Sequence, residues 1–126
     1  MNRNEQERKA VLENAIIRMA DPSWFILGTL SQSEPLPGIE IIARVNNFLQ
    51  RVNHPIKTLD PSTLHYAIKR MMADKTVEIE SKRNIQIPGP GGSLRWALRP
   101  HYQITDIGKE ALTWRLKLNN SWANLL

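Results

Sequence analysis

The side chains with the clearest capacity for chemistry lie in one predicted helix, which has the sequence LDPSTLHYAIKRMMADK over residues 59–75. At about 100° per residue, its apolar side chains fall on one side of the helix, which predicts a core-facing surface made of Leu64, Ala67, Ile68, Met71 and Met72. From Ser62 onward the other positions carry hydroxyl, imidazole, ammonium and guanidinium groups and no acid before Asp74; these are Ser62, Thr63, His65, Tyr66, Lys69 and Arg70. Such donors bind phosphate oxygens and base edges, so this face is a candidate nucleic-acid contact. The alternative is an ordinary solvated helix face.

A second set of basic residues surrounds a turn rich in proline and glycine, residues 88–92. Lys82 and Arg83 precede this turn, and Arg95 and Arg99 follow it. In a strand, successive side chains alternate between faces, so Arg95, Ala97 and Arg99 share the face opposite to Leu94, Trp96 and Leu98. A hairpin of this kind suits contact with phosphates or with the minor groove. The turn lacks the Lys-Ser/Thr pair of a P-loop, which excludes that type of nucleotide site.

The charge distribution points to the same region. The chain has a net charge of +5 and a pI near 9.9. Residues 57–105 contain eight basic and four acidic residues, whereas residues 1–56 contain six of each. Residues 81–105 contain no acid at all. A local positive field attracts polyanions, and double-stranded DNA is the partner that we expect.

Several other classes of function are excluded by composition. The chain has no cysteine, and its histidines, His54, His65 and His101, do not lie at metal-ligand spacing. There is no nucleophile–base pair and no paired-carboxylate motif, so we predict no enzyme activity and no cofactor. There is also no run of about 18 apolar residues and no apolar signal-peptide core. We therefore expect a cytoplasmic protein with no membrane partner.

The order of the predicted elements indicates the fold class. A helix over residues 4–20 ends at Asp21-Pro22, and Ser23 caps a second, short helix. SEPLPG is predicted to be a loop, and a third helix covers residues 39–52. Asp60 and Pro61 begin the fourth helix, which is followed by a hairpin and by a last helix over residues 106–126.

This order predicts an α+β fold, mainly α: a winged helix-turn-helix with an extra N-terminal helix and one long C-terminal helix. We expect a single domain, with the winged-helix core at residues 23–105 and the wing at about 82–99. In this architecture the helix before the hairpin enters the major groove of DNA, and the wing lies along the phosphate backbone.

The last helix carries an apolar stripe at heptad-like spacing, formed by Ile107, Ala111, Trp114, Leu118 and Trp122. We expect this stripe to pack against a second copy of the chain, together with Val11 and Ile16 of the first helix, and to form a homodimer. The alternative is packing within one chain. A two-fold dimer would present its recognition helices to half-sites about 34 Å apart, or a multiple of that distance.

Three segments resemble the PadR family of winged-helix transcriptional regulators: FILGTLSQSEPLPGIEII, STLHYAIKRMMADKTVE and HYQITDIGKEAL. The chain departs from the family pattern at Pro37-Gly38-Ile39, where the family often has His-Gly-Tyr. It departs again at Leu64-His65-Tyr66, where the family usually has Leu-Tyr-Pro. The resemblance implies a dimeric DNA-binding regulator, most often a repressor. The single C-terminal helix is similar to the short members, which include a repressor of a circadian clock gene.

Two function classes remain open at this point. The first is a sequence-specific DNA-binding regulator. The second is a winged-helix module that binds another protein, in which the basic surface is incidental and Trp114 and Trp122 contact a different partner. A small-molecule effector is unknown: Trp24, Trp114 and Trp122 could line an apolar pocket at a dimer interface, but the sequence offers no polar groups that name a ligand.

Overall fold

The computed structural model describes residues 3–52 and 58–125, and the side chains up to residue 117. Five helices and a small sheet follow in this order: α1 (Arg3–Arg18), α2 (Asp21–Ser31), β1 (Leu36–Pro37), α3 (Gly38–Arg51), α4 (Pro61–Ala73), β2 (Val77–Pro88), β3 (Leu94–Ile104) and α5 (Asp106–Leu125). A single 3-10 turn, Pro90–Gly92, lies between β2 and β3. The predicted mainly helical α+β fold is confirmed.

Two local predictions were wrong. Helix α2 begins at Asp21 rather than at a Ser23 cap, because a proline is tolerated in the first helical turn, where its missing N–H would have no intrahelical partner. The segment predicted as a loop contains β1, whose Leu36 pairs with Tyr102 and whose Pro37 pairs with His101 of β3.

The sheet is antiparallel, with the strand order β1-β3-β2. Strands β2 and β3 form a long hairpin that is paired from Val77↔Ile104 to Pro88↔Leu94. The register shifts between Ile79 and Ser81, so β2 has one extra residue near the base of the hairpin. At the tip, Gly91 and Gly92 adopt positive φ angles of 69° and 79°, which glycine alone adopts without strain.

The core forms where three helices meet the base of the sheet. Ile26 and Leu27 of α2 are fully buried, and α3 contributes side chains every four residues. The buried residues of α3 are Ile41, Val45 and Leu49, and those of α4 are Leu64, Ile68 and Met71. Met72, which the wheel placed on the core side of α4, is 37% exposed, because it lies at the edge of the apolar arc.

Helices α1 and α5 pack together on this core. Leu12, Ile16, Met19 and Leu112 are partly buried against it, and Arg8 of α1 pairs with Glu110 of α5 at 2.6 Å. Ala111 is fully buried inside the single chain, which corrects its assignment to a dimer interface. Trp24 is also a core residue, with the Arg115 guanidinium 5.5 Å from its ring centroid. The side chains of Leu118 and Trp122 lie outside the described residues.

The junction between the hairpin and α5 depends on close backbone contact. The Thr105 backbone N–H donates to the Thr76 carbonyl at 3.0 Å, and the Thr105 hydroxyl donates to the Lys75 carbonyl at 2.6 Å. The same hydroxyl accepts from the Gly108 N–H at 3.0 Å, which caps α5. A Cβ at Gly108 would lie 2.3 Å from the Thr76 carbonyl oxygen, so only glycine fits there.

Candidate nucleic-acid interface

The start of α4 is fixed by a side-chain cap. The Asp60 carboxylate accepts a 2.7 Å hydrogen bond from the Thr63 backbone N–H, and Pro61 occupies the first turn. Hydrogen bonds from the backbone and the side chain of Thr63 lower the pKa of Asp60 below its ordinary value. The carboxylate therefore stays charged at neutral pH and occupies the N-terminus of α4, where a phosphate would otherwise bind.

The chain just before this cap is held by α3. The Asn46 side-chain amide donates to the Leu59 carbonyl at 3.1 Å and accepts from the Leu59 N–H at 2.5 Å. Leu59 itself is buried in the core. One amide therefore satisfies both backbone groups of the residue that precedes the cap and fixes the position of α4 relative to α3. Sequence reasoning missed this residue, because an asparagine within a helix has no distinctive pattern.

The end of α4 is fixed in two ways. The Thr76 N–H donates to the Met71 carbonyl and the Lys75 N–H donates to the Met72 carbonyl, while Lys75 takes a left-handed conformation with φ at 65°. This is a Schellman C-cap formed without glycine. In addition, Arg18 of α1 lies 3.6 Å from the Asp74 carboxylate, which offsets the acid at the end of the helix.

The predicted contact residues lie on the exposed side of α4. All six are solvent-exposed: Ser62, Thr63, His65, Tyr66, Lys69 and Arg70. Tyr66 is 74% exposed, and its ring meets the His65 ring edge-on with centroids 6.1 Å apart. Within the described part of the chain, Lys69 and Arg70 form no ion pair. The two cations are therefore free to bind an external anion.

An open groove of about 560 Å³ lies between this face and the α1–α2 junction. Three cationic residues line it, together with Thr63 and Tyr66; they are Arg18, Lys69 and Arg70. Pro22 and Ser23 form part of its other wall. Arg18 was not among the predicted site residues. It is brought to the groove by the packing of α1, which local sequence does not reveal.

A second groove, of about 410 Å³, separates the other side of α4 from the wing, which we define as the β2–β3 hairpin from Lys82 to Arg99. Its walls are mainly apolar and include Ile39, Leu64 and Ile87, and its polar lining includes His65 and Arg99. The structure therefore places His65 of α4 and Arg99 of the wing on one groove.

The register of the hairpin supports the predicted division of β3 into two faces. Cross-strand partners share a face, and Arg99 pairs with Arg83, Ala97 with Ile85, and Arg95 with Ile87. We call this the arginine face. Ile87 on this face is buried and Ile85 is half-buried, and both line the groove beside α4.

Arg83 is the most constrained basic residue of the wing. Its guanidinium lies 2.8 Å from the Glu80 carboxylate and donates to the Ser81 hydroxyl at 2.9 Å. Hydrogen bonds from Ser81 and from Arg83 lower the pKa of Glu80. Glu80 lies one residue before the acid-free stretch 81–105, so the charge count over that stretch did not reveal this pair. Lys82 and Arg95 form no ion pair within the described residues.

The opposite face of the wing is apolar and exposed. Leu94, Trp96 and Leu98 are 63%, 68% and 56% exposed, and their cross-strand partners are Pro88, Gln86 and Asn84. None of these residues carries a charge. We call this the apolar face.

No group of three or more His, Cys, Asp or Glu residues that could hold a metal ion occurs among the described residues. Within those residues, no helix has the length and the apolar character needed to cross a membrane.

Comparison with known proteins bears on the fold. No protein-family model and no curated protein matches the sequence. Among solved structures, a PadR family transcription regulator from Clostridium difficile is 19% identical with a TM-score of 0.54, and the match covers 82% of this chain and 91% of that one. Bacillus subtilis PadR, solved in complex with operator DNA, is 21% identical with a TM-score of 0.54. That match covers 78% of this chain and 46% of PadR.

A regulator of a different name gives the same architecture. The PcaV transcriptional regulator from Streptomyces coelicolor, solved with its natural ligand, is 19% identical with a TM-score of 0.52 over 98% of this chain and 76% of its own. At these identities the likeness establishes the fold. The chain has the winged-helix fold of PadR-like regulators, as the resemblance implied.

Proposed function

We propose that this protein is a sequence-specific, dimeric DNA-binding transcriptional regulator, and that it acts as a repressor. The observation that carries the proposal is the outer face of α4, where Lys69 and Arg70 stand among exposed donors with no acid paired to them in the described chain. The PadR fold supports it, because B. subtilis PadR has this fold and was solved on operator DNA.

In the proposed complex, α4 enters the major groove. Lys69 and Arg70 donate to guanine O6 and N7 or to phosphates, and Tyr66, His65, Ser62 and Thr63 supply shorter-range contacts. Because the Thr63 hydroxyl and N–H both bond to Asp60, its hydroxyl must turn away from the cap to contact DNA. We expect the smallest contribution from Thr63.

Phosphate contacts come from both sides of α4 in this proposal. Arg95, Arg99 and Lys82 reach the backbone from the wing. Arg18 reaches it from the α1–α2 side and must then exchange its Asp74 partner, 3.6 Å away, for a phosphate. Arg83 contributes less, because its guanidinium is paired with Glu80. Such contacts fix orientation and affinity without reporting sequence.

The proposal of a dimer rests on apolar side chains of α1 and α5 that a single chain leaves exposed. Ile17 of α1 is 81% exposed, and Trp114 and Leu116 of α5 are 43% and 55% exposed. Val11, Ile16 and Ile107 are half-buried beside them and remain proposed interface residues. Leu118 and Trp122 remain part of the proposal on sequence grounds alone. A two-fold pairing through α1 and α5 would present two copies of α4 to one duplex.

Repression is proposed because the sequence resemblance implies it most often, and a dimer bound over a promoter would block access to it. That the regulated gene belongs to a circadian clock is an expectation from the sequence resemblance only. It is tested by identifying which promoters the protein occupies in its own cells.

The experiment that tests the proposal is selection of duplexes from a random pool with the purified wild-type chain. We expect an enriched motif with two-fold symmetry and half-sites separated by about one helical turn, 10–10.5 base pairs, or a multiple of it. An enriched motif without symmetry would contradict the dimer but not DNA binding. Failure to enrich any sequence, with no gel shift near physiological salt, would favour the protein-interaction alternative.

A further inference from the structure

The groove between α4 and the wing has an apolar interior that the proposed function does not use. Its volume of about 410 Å³ lies within the range of ligand pockets, roughly 300–1,000 Å³. Its walls are formed mainly by aliphatic side chains and prolines: Ile39, Ile42, Leu64, Ile68, Ile85, Ile87, Pro37, Pro61, Pro88 and Pro100. An open groove with such walls favours a ligand that has an apolar body.

The polar groups of this groove indicate the charge of the ligand. Arg99 of the wing and His65 of α4 line it, and none of its lining residues in the described chain is acidic. Among the described residues, the Arg99 guanidinium donates one hydrogen bond, to the Leu98 carbonyl at 3.2 Å, and forms no ion pair. A neutral ligand would desolvate this cation without giving it a partner, whereas an anion would bind its remaining N–H groups.

Tyr102 adds an uncharged donor to the groove. It is half-buried, and burial raises its pKa above the ordinary value, so its hydroxyl remains protonated at neutral pH. A protonated phenol can donate to a carboxylate and does not repel it. No tryptophan or phenylalanine occurs among the described lining residues, so the walls favour an aliphatic chain over an aromatic ring.

Two departures from the PadR family pattern line this groove. Ile39 lies where the family often has tyrosine, and His65 lies where it usually has tyrosine. Isoleucine and histidine are smaller than tyrosine, so both exchanges leave more space beside α4. The open groove is therefore a feature of this sequence and not one that the fold alone requires.

We propose that this groove binds a medium-chain aliphatic carboxylate, with the chain between α4 and the wing and the carboxylate on Arg99. The site itself does not depend on the proposed function, but its consequence does. A carboxylate on Arg99 occupies a cation that the proposed complex uses for a DNA phosphate. Ligand and DNA therefore oppose each other, and each weakens the binding of the other by the same factor.

Calorimetric titration of the full wild-type chain with decanoate tests the site directly. We expect saturable binding of one decanoate per chain. Decanol lacks the charge and acetate lacks the chain, so each should bind at least about tenfold more weakly. Benzoate carries the same charge on an aromatic ring. Decanol that binds as tightly as decanoate, or benzoate that binds more tightly, would overturn the proposal.

Three variants locate the site. Arg99→Gln should weaken decanoate binding at least about tenfold. Arg95→Gln is the matched control, because Arg95 lies on the same face of β3 but does not line the groove, and it should bind as the wild type does. Ile39→Tyr fills the groove and should abolish binding. Equal losses in Arg99→Gln and Arg95→Gln would overturn the location, since the attraction would then be general.

Two measurements without DNA show whether Ile39→Tyr acts through the groove alone. Circular dichroism and thermal melting should match those of the wild type, because Ile39 is 48% exposed. Sedimentation should show the same oligomeric state for both chains. If Ile39→Tyr dissociates a wild-type oligomer, a second copy covers the groove and the proposal is overturned.

The effect on DNA separates this proposal from the proposed function. Decanoate at about ten times its dissociation constant should weaken binding of the selected duplex about tenfold, whereas Ile39→Tyr should bind the duplex equally with and without decanoate. Acetate at the same concentration controls for ionic strength. If the wild type binds decanoate but no duplex, the proposed function fails and the site stands. If it binds the duplex but no decanoate, the site fails and the proposed function stands.

Discussion

Helix α4 and the wing both present basic residues, but the structure holds them in very different ways. One side of α4 is buried through Leu64, Ile68 and Met71, and its ends are fixed by a carboxylate cap and a Schellman turn. The outer half of the wing is a two-stranded ribbon whose apolar face is exposed. Base recognition needs side chains in fixed positions, whereas phosphate and sugar contacts repeat along every sequence. The difference supports the proposal that α4 recognises bases and that the wing makes sequence-independent contacts.

The largest expected effect is the difference in stability between a leucine-to-alanine substitution in α4 and one in the wing. Leu64→Ala removes a buried side chain of α4 and should lower the free energy of unfolding by about 2–5 kcal/mol. Leu98→Ala removes an exposed side chain of the wing and should change it by less than about 0.5 kcal/mol. Urea unfolding of both variants measures the comparison. Similar losses in the two would show that the wing is packed more tightly than its exposure indicates.

The base of the wing should be less tolerant than its outer part, because it meets α5 at Gly108. Gly108→Ala places a Cβ within 2.7 Å of Ile104 and closer still to the Thr76 carbonyl, so the junction must shift. We expect a loss of about 1–3 kcal/mol in the free energy of unfolding, as for overpacking. Gly28→Ala, in helix α2, meets nothing within 4 Å and should be neutral or stabilising. Equal stability of the two variants would rule out the close approach.

Asn46 of α3 holds the segment just before α4, so its removal should lower the stability of the protein. Asn46→Ala leaves both backbone groups of Leu59 without their partner and should cost about 1–3 kcal/mol of stability. Asn47→Ala, at the exposed neighbouring position, is the matched control. Hydrogen exchange of the Leu59 amide should accelerate in the first variant only. An unchanged exchange rate would mean that Asn46 does not hold this segment.

The smallest effect concerns Arg83 in the wing. Glu80→Gln removes the carboxylate that pairs with Arg83, so this guanidinium becomes available to phosphate. DNA affinity should rise, and the salt slope should steepen by up to about 0.9. Glu78→Gln is the control, since Glu78 accepts from Gln103 and not from an arginine. If both variants gain equally, the effect is general repulsion and not the release of Arg83.

The parts of this arrangement that followed from sequence are those with a local cause. The three- and four-residue spacing of Leu64, Ile68 and Met71 predicted which side of α4 is buried, and the Asp60-Pro61 pair predicted where it begins. Alternation along β3 predicted which residues share a face. It could not predict that the face of Trp96 is left uncovered, because burial depends on where the hairpin lies relative to the helices.

The features that the sequence did not predict depend on contacts between segments that lie far apart in the chain. Ala111 lies on a heptad-like stripe, and such a stripe looks the same whether it packs within one chain or between two. Arg18 reaches the α4 groove only through the packing of α1. The Asn46 side chain bonds to the backbone of a residue 13 positions away, and no local sequence pattern predicts such a bond.

The most direct test of the account compares base specificity and salt dependence for one residue from each region. Binding of Arg70→Ala and Arg95→Ala is measured on the selected duplex and on its single base-pair variants, each over a range of salt. Arg70→Ala should lose about 1–3 kcal/mol of discrimination at particular base pairs. Arg95→Ala should weaken all duplexes alike and lower the salt slope by about 0.9. Loss of discrimination in Arg95→Ala, with none in Arg70→Ala, would contradict the assignment of base recognition to α4.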